Sequence, residues 1–183
     1  HLLQETPAPI PAYRTVPVVA ARPDARDVER YATQLMAASS PVIAAGKGVI
    51  RQGAMRELSE LSLRLQAPVV FAQDAIGVIP EEHPYFAGHF SYYRTHPMCS
   101  HALRDSDLVL GVGLRAGAAE MTDLKACAPG RNIILIGYDD AASSRYQGEN
   151  QRVADPKLFL AALLARLGRY QRPRNDVLIK QMA

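Results

Sequence analysis

The chain has 183 residues, 48% of them hydrophobic and 21% charged, with a formal net charge of +3. This composition is that of an ordinary globular protein and excludes disordered and fibrous classes, and the length fits one domain with a sizeable core. The charge is modest and no basic stripe is interleaved with aromatics, so no nucleic-acid partner is expected.

Two cysteines, Cys99 and Cys127, without a CxxC pair, predict no disulfide framework and a reducing, cytoplasmic setting. No run approaches the about 20 apolar residues of a membrane span, and the first residues lack the charged-then-apolar order of a signal peptide. Beginning at a histidine, the sequence reads as a fragment of a longer protein.

Residues 5–17, ETPAPIPAYRTVP, hold four prolines. That density favours extended backbone, so residues 1–17 read as a linker. Residues 24–38 predict a helix capped by Asp24, with Val28, Ala32, Leu35 and Met36 on one face. Residues 42–45 predict a short buried strand, ended by the turn at Gly46 and Gly48. An amphipathic helix follows over 54–66, with Met55, Leu58, Leu61 and Leu65 inward. A second apolar strand spans 68–72. Residues 74–97 then read as a long loop rich in Gly, Pro and aromatics, a kind that is usually functional or interfacial.

A short helix near 98–104 leads to a third strand, DLVLGVG at 107–113. NIILIGYD at 132–139 predicts a fourth, β-branched as in a sheet covered on both faces. The stretch between them reads as loop or helix alike. Residues 151–154 predict a last short strand. Asp155-Pro156 opens a helix lined by Leu158, Phe159, Leu163, Leu164 and Leu167. Alternating strands and helices imply an α/β fold, a three-layer, doubly wound, mainly parallel sheet. The basic residues of the last stretch, Arg166, Arg169, Arg172, Arg174 and Lys180, read as a solvated terminus or linker, with a basic tail or linker over 169–183.

Gly46 and Gly48 raise the question of a nucleotide. A dinucleotide fingerprint, G-x-G-x-x-G, wants a third glycine where this chain has Arg51, and the P-loop frame from Gly48 to Gly53 continues with Ala54 and Met55 instead of Lys-Ser/Thr. Two readings remain: a structural turn, or a generic set of amides facing an anion. Gly113, Arg115 and Asp139 would lie at the carboxyl ends of the third and fourth strands, where open α/β sheets bind ligands. Arg115 suits a phosphate or a surface salt bridge equally well. His89, His96, Cys99 and His101, with His83 nearby, match no zinc spacing, so no metal site is expected. No G-x-S-x-G elbow and no cysteine with an obvious base is present, so no catalytic residue is assigned.

Taken in order, PVIAAGKGV, GVIPEEHPYFAG, ALRDSDLVLGVG, NIILIGYDDA and VADPKLFLAAL resemble the central domain of thiamine-diphosphate-dependent enzymes: the acetolactate synthase, oxalyl-CoA decarboxylase and benzoylformate decarboxylase group. The resemblance runs over residues 16–167, and no single motif in it is specific. It implies a six-stranded, Rossmann-like sheet of the DHS-like nucleotide-binding kind over 18–168. It further implies flanking pyrimidine- and diphosphate-binding domains and assembly as homodimers or homotetramers. Thiamine diphosphate and Mg2+ would be bound by those flanking domains, whose Gly-Asp-Gly motif occurs nowhere in these 183 residues.

Some members of the family hold FAD or ADP in this domain. Gly46, Gly48, Gly113, Arg115, Asp139 and Asp155 match their nucleotide-contacting positions. FAD-holding synthases show G-x-R-F-D-D-R where this chain reads from Gly113 through Arg115 to Ala119, and I-D-I-D-P where it has Ile136 to Asp140. The aromatic, the acidic pair and the first aspartate are missing. The resemblance thus implies a structural and assembly domain of a lyase or transferase. A nucleotide-binding regulatory module is the alternative, and a free-standing Rossmann-like enzyme a third reading.

Overall fold

The computed structural model describes residues 21–91, 95–115, 119–137 and 150–173. Helix α1 (Ala25–Ala37) begins where the Asp24 carboxylate accepts from the amide of Arg26 at 2.7 Å, and its buried stripe is Val28, Tyr31, Ala32 and Leu35. Strand β1 (Pro41–Ala45) is buried throughout. Asp107 fixes its approach by accepting from the amides of Ser39 at 2.5 Å and Ser40 at 3.0 Å.

The glycine turn leads into a one-turn helix, α2 (Lys47–Arg51), which the hydrophobic pattern does not signal, and then α3 (Met55–Leu65). Leu58, Leu61 and Leu65 are buried as expected. Met55, at the first residue of α3, is 41% exposed, and Glu57 takes the buried position in that turn. Strand β2 (Val69–Ala72) follows, then a single 3-10 turn at Gln73–Ala75.

The stretch expected to be loop contains strand β3 (Phe86–Phe90). Gly88 there is left-handed, φ +84°, and a Cβ on it would lie 2.7 Å from Cβ and Cγ of His96. The ladder to β2 also shifts register between Val69 and Val70. A glycine and a bulge inside a five-residue strand are weak strand signals, which is why FAGHF passes for loop.

Helix α4 (Pro97–Asp105), β4 (Leu108–Val112), α5 (Ala119–Cys127), β5 (Asn132–Gly137), β6 (Gln151–Val153) and α6 (Pro156–Leu167) complete the described elements. The ambiguous stretch after β4 is therefore partly helix. Its periodic signal is thin because α5 buries only Met121 and Leu124. In α6, Leu158 is 41% exposed while Leu160 is buried.

All pairings are parallel, in the order β3-β2-β1-β4-β5-β6. Alternate strand residues feed two cores, the consequence of a side-chain period of two. Ile43, Val69, Phe71, Leu110, Val112 and Ile136 face a core shared with α1, α2, α3 and α6. Val42, Ala44, Val70, Val109 and Leu135 face one shared with α4 and α5. The expected α/β fold with helices on both faces is what the chain adopts, with a sheet of six strands, all parallel. From β1 the chain winds outward to β2 and β3, returns through α4 to β4 beside β1, and winds outward the other way. The switch point thus falls between the carboxyl ends of β1 and β4.

The body continues past α6. Arg172 donates to the Leu35 carbonyl at 2.9 Å, and its own carbonyl accepts from the Gln66 amide nitrogen at 2.7 Å. Arg64 donates to the carbonyl of Gly168. Arg166 pairs with Glu29. Two of the basic residues read as a solvated tail thus hold helices together, while Arg174 and Lys180 lie outside the described residues.

Candidate functional site

Gly46, Gly48 and Gly113 converge at the switch point. Gly46 follows β1 directly and forms the amino-terminal cap of α2, and Gly113 follows β4 directly. The ladder runs on past the strands: the Gly46 amide donates to Val112 O at 2.9 Å, and the Gly113 amide to Ile136 O at 2.9 Å. Gly113 then turns left-handed, φ +68°, and its carbonyl accepts from the Gly48 amide at 2.9 Å. The Val49 amide donates to Gly46 O at 3.1 Å.

The two turns touch backbone to backbone. A Cβ on Gly46 would lie 2.7 Å from Gly113 C and from Leu114 Cα, with Gly113 O closer still. A Cβ on Gly113 would lie 2.6 Å from Val49 N and 3.0 Å from Gly48 Cα. Real Cβ atoms do not approach backbone so closely, so both positions need the missing side chain.

Arg115 lies at the rim, its side chain 53% exposed, and is engaged by Glu120 in the first turn of α5. Glu120 accepts from the Arg115 amide at 3.0 Å and from its Nε at 3.2 Å. Sequence reasoning missed this partner; an acid in a helix's first turn, where the helix dipole favours negative charge, was its signal. Asp155 follows β6, is 8% exposed, and caps α6 by accepting from the Leu158 amide at 3.0 Å. Its own amide donates to Ala21 O at 2.8 Å. Asp139 lies outside the described residues. Of the six candidate positions, then, three glycines are in contact, Arg115 is on their rim, and Asp155 stands two strands away after β6.

Among the described residues no group of three or more His, Cys, Asp or Glu side chains is placed to hold a metal ion. Burial pushes the Cys99 thiol far above the usual range, so it presents no thiolate. Burial also holds His83 below the ordinary histidine value. No described helix is long and apolar enough to cross a membrane.

Residues 28–163 match the family model described as thiamine pyrophosphate enzyme, central domain. The chain is 32% identical to the acetolactate synthase large subunit of Corynebacterium glutamicum, over 85% of this chain and 24% of that one. It is 32% identical to pyruvate oxidase of Lactiplantibacillus plantarum, over 79% of this chain and 23% of that one. The crystal structure of benzoylformate decarboxylase from Polynucleobacter necessarius superposes with a TM-score of 0.70 at 22% identity, covering 94% of this chain and 32% of that one. The chain spans about a quarter of the length of the curated relatives it matches.

Proposed function

Because this chain belongs to the family of thiamine pyrophosphate enzyme central domains, we propose that it is the structural and assembly domain of a longer thiamine-diphosphate-dependent enzyme. In this reading the parent is a carboligase or a 2-oxoacid or acyl-CoA decarboxylase, a transferase or lyase, and the domain by itself performs no catalysis. The observation that carries the reading is the family match across nearly the whole six-stranded body. Relatives similar to this chain bear differently named activities, a synthase and an oxidase, so likeness over this domain does not select the reaction.

The residues present do not fit the family's cofactor. No Gly-Asp-Gly occurs in the sequence, and no described cluster suits a metal. In this reading thiamine diphosphate and Mg2+ are held by flanking pyrimidine- and diphosphate-binding domains, as the family resemblance implies. The cofactor supplies carbanion stabilisation when bound. This chain's residues hold the neighbouring domains in place.

In this reading residues 18–168 are the domain, residues 1–17 a linker before it, and residues 169–183 a basic tail or linker to the following domain, within which Arg172 bonds to the Leu35 carbonyl. The parent is a cytoplasmic homodimer or homotetramer in this proposal. A nucleotide-binding regulatory module is the less favoured alternative, since the family match already accounts for the fold and the turn.

The test uses the longer enzyme. Turnover of a 2-oxoacid or acyl-CoA should vanish when thiamine diphosphate and Mg2+ are removed and return when both are restored. Turnover indifferent to both would refute the reading.

A further inference from the structure

We propose that the surface around helix α2, where Met55, Ile76 and Leu158 stand exposed among cationic side chains, is a docking surface for an acidic face of a neighbouring domain in the same parent chain. The proposal rests on the reading of this chain as one domain of a longer protein.

Among the described residues four large hydrophobic side chains are exposed: Met55 at 41%, Leu63 at 42%, Ile76 at 69% and Leu158 at 41%. Single exposed apolar residues are ordinary, but a group of them marks an interaction site. Three of the four stand on or next to the elements that pack round α2, which are the start of α3, the 3-10 turn after β2 and α6. In a parallel sheet the strands end, and the helices after them begin, at the carboxyl edge, so these three share that edge. Leu63 lies further along α3. Met55 and Ile76 follow β1 and β2, on the side of the sheet away from β4 and β5.

Helical periodicity assigns Met55 and Leu158 to buried faces, yet this domain leaves both exposed. Ile76 stands out between buried Ala75 and buried Val78 and Ile79, at a turn where Gly77 is left-handed, φ +87°. The charges around them are of one sign. Lys47 and Arg51 on α2, Arg56 beside Met55 and Lys157 beside Leu158 are all exposed, against one exposed carboxylate in these turns, Asp74. Such a surface repels a second copy of itself across a two-fold axis and attracts an acidic one. The chain spans about a quarter of the length of the curated relatives it matches, which leaves the rest of a parent chain to supply that face.

The test uses the longer protein, with hydrogen peroxide as the probe of methionine accessibility. Leu63→Met adds a methionine at a site as exposed in this domain as Met55 but away from α2, by a volume-conserving change. Met55 should oxidise at least about tenfold more slowly than the methionine so introduced. Lys157→Glu sets a carboxylate against the acidic face, in a first helical turn that tolerates an acid, and should speed Met55 oxidation about threefold or more. Equal rates at the two positions, or a Met55 rate that Lys157→Glu leaves unchanged, overturns the proposal. So does a Met55 rate that rises on dilution, which would assign the cover to a second molecule. The rates are read without substrate or cofactor, so a parent indifferent to thiamine diphosphate would refute the thiamine-diphosphate reading while oxidation still decides this one.

Discussion

Gly113 combines two demands that a side chain would violate: φ of +68° and a Val49 nitrogen 2.6 Å from where its Cβ would be. Gly53 has φ +61° with nothing within 4 Å, so it carries the first demand alone. Alanine at 53 should cost about 1 kcal/mol, the strain of a left-handed residue, whereas alanine at 113 should cost about 3 kcal/mol or more because backbone must also move. Urea denaturation of the two variants measures the difference; equal losses would mean that the contact between the turns is unimportant. His83 supplies a pH test. Its folded value lies below its unfolded one because burial disfavours the charged ring. Its contribution is therefore complete above the unfolded value of about 6.5 and is lost as pH falls through the folded value. Replacing His83 by Gln should flatten the decline of Tm between pH 7 and 5, and an unchanged slope would place the titration elsewhere. At this scale the sequence was half legible. Gly46, Gly48 and Gly113 could be picked out because glycine after a strand is informative, but their mutual contact could not, since it joins positions far apart in the chain.

Two of the helices, α1 and α6, are capped by aspartate side chains. Asp155 accepts from the Leu158 amide in the first turn of α6 at 3.0 Å, so Asp155→Ala should destabilise the chain by about 1 kcal/mol and Asp155→Asn by much less. Equal losses would shift the role from cap to charge. Arg172 does the corresponding work at the other end of α1, meeting the carbonyls of Leu35 at 2.9 Å and Ser39 at 3.5 Å. Arg172→Ala should cost about 1–2 kcal/mol, with Lys restoring only part, because a single ammonium cannot match the guanidinium fork. Full rescue by Lys would reduce the contact to charge. The long apolar strands and the helices with a buried stripe were legible in the sequence because period and caps agreed. Strand β3 was not, because its glycine and register shift erase the pattern. Nor was α2, too short to show a period, and α5 stayed ambiguous because it buries so little.

For the whole molecule, the order β3-β2-β1-β4-β5-β6 places the switch point beside the glycine turns, and a hydrophobic core packs on each face of the sheet. At the carboxyl edge of this body the two glycine turns meet backbone to backbone, and Arg115 and Asp155 are each engaged within the chain. The family resemblance was readable from five short segments in the right order. How those residues meet was not, since the Arg115–Glu120 pair and the approach of Gly46 to Leu114 join positions that the motifs alone do not connect. The most direct measurement of the central claim is calorimetric titration of thiamine diphosphate with Mg2+ into the 183-residue chain, followed by an assay for 2-oxoacid consumption. The account predicts no saturable heat and no consumption. Saturable binding accompanied by turnover would contradict it.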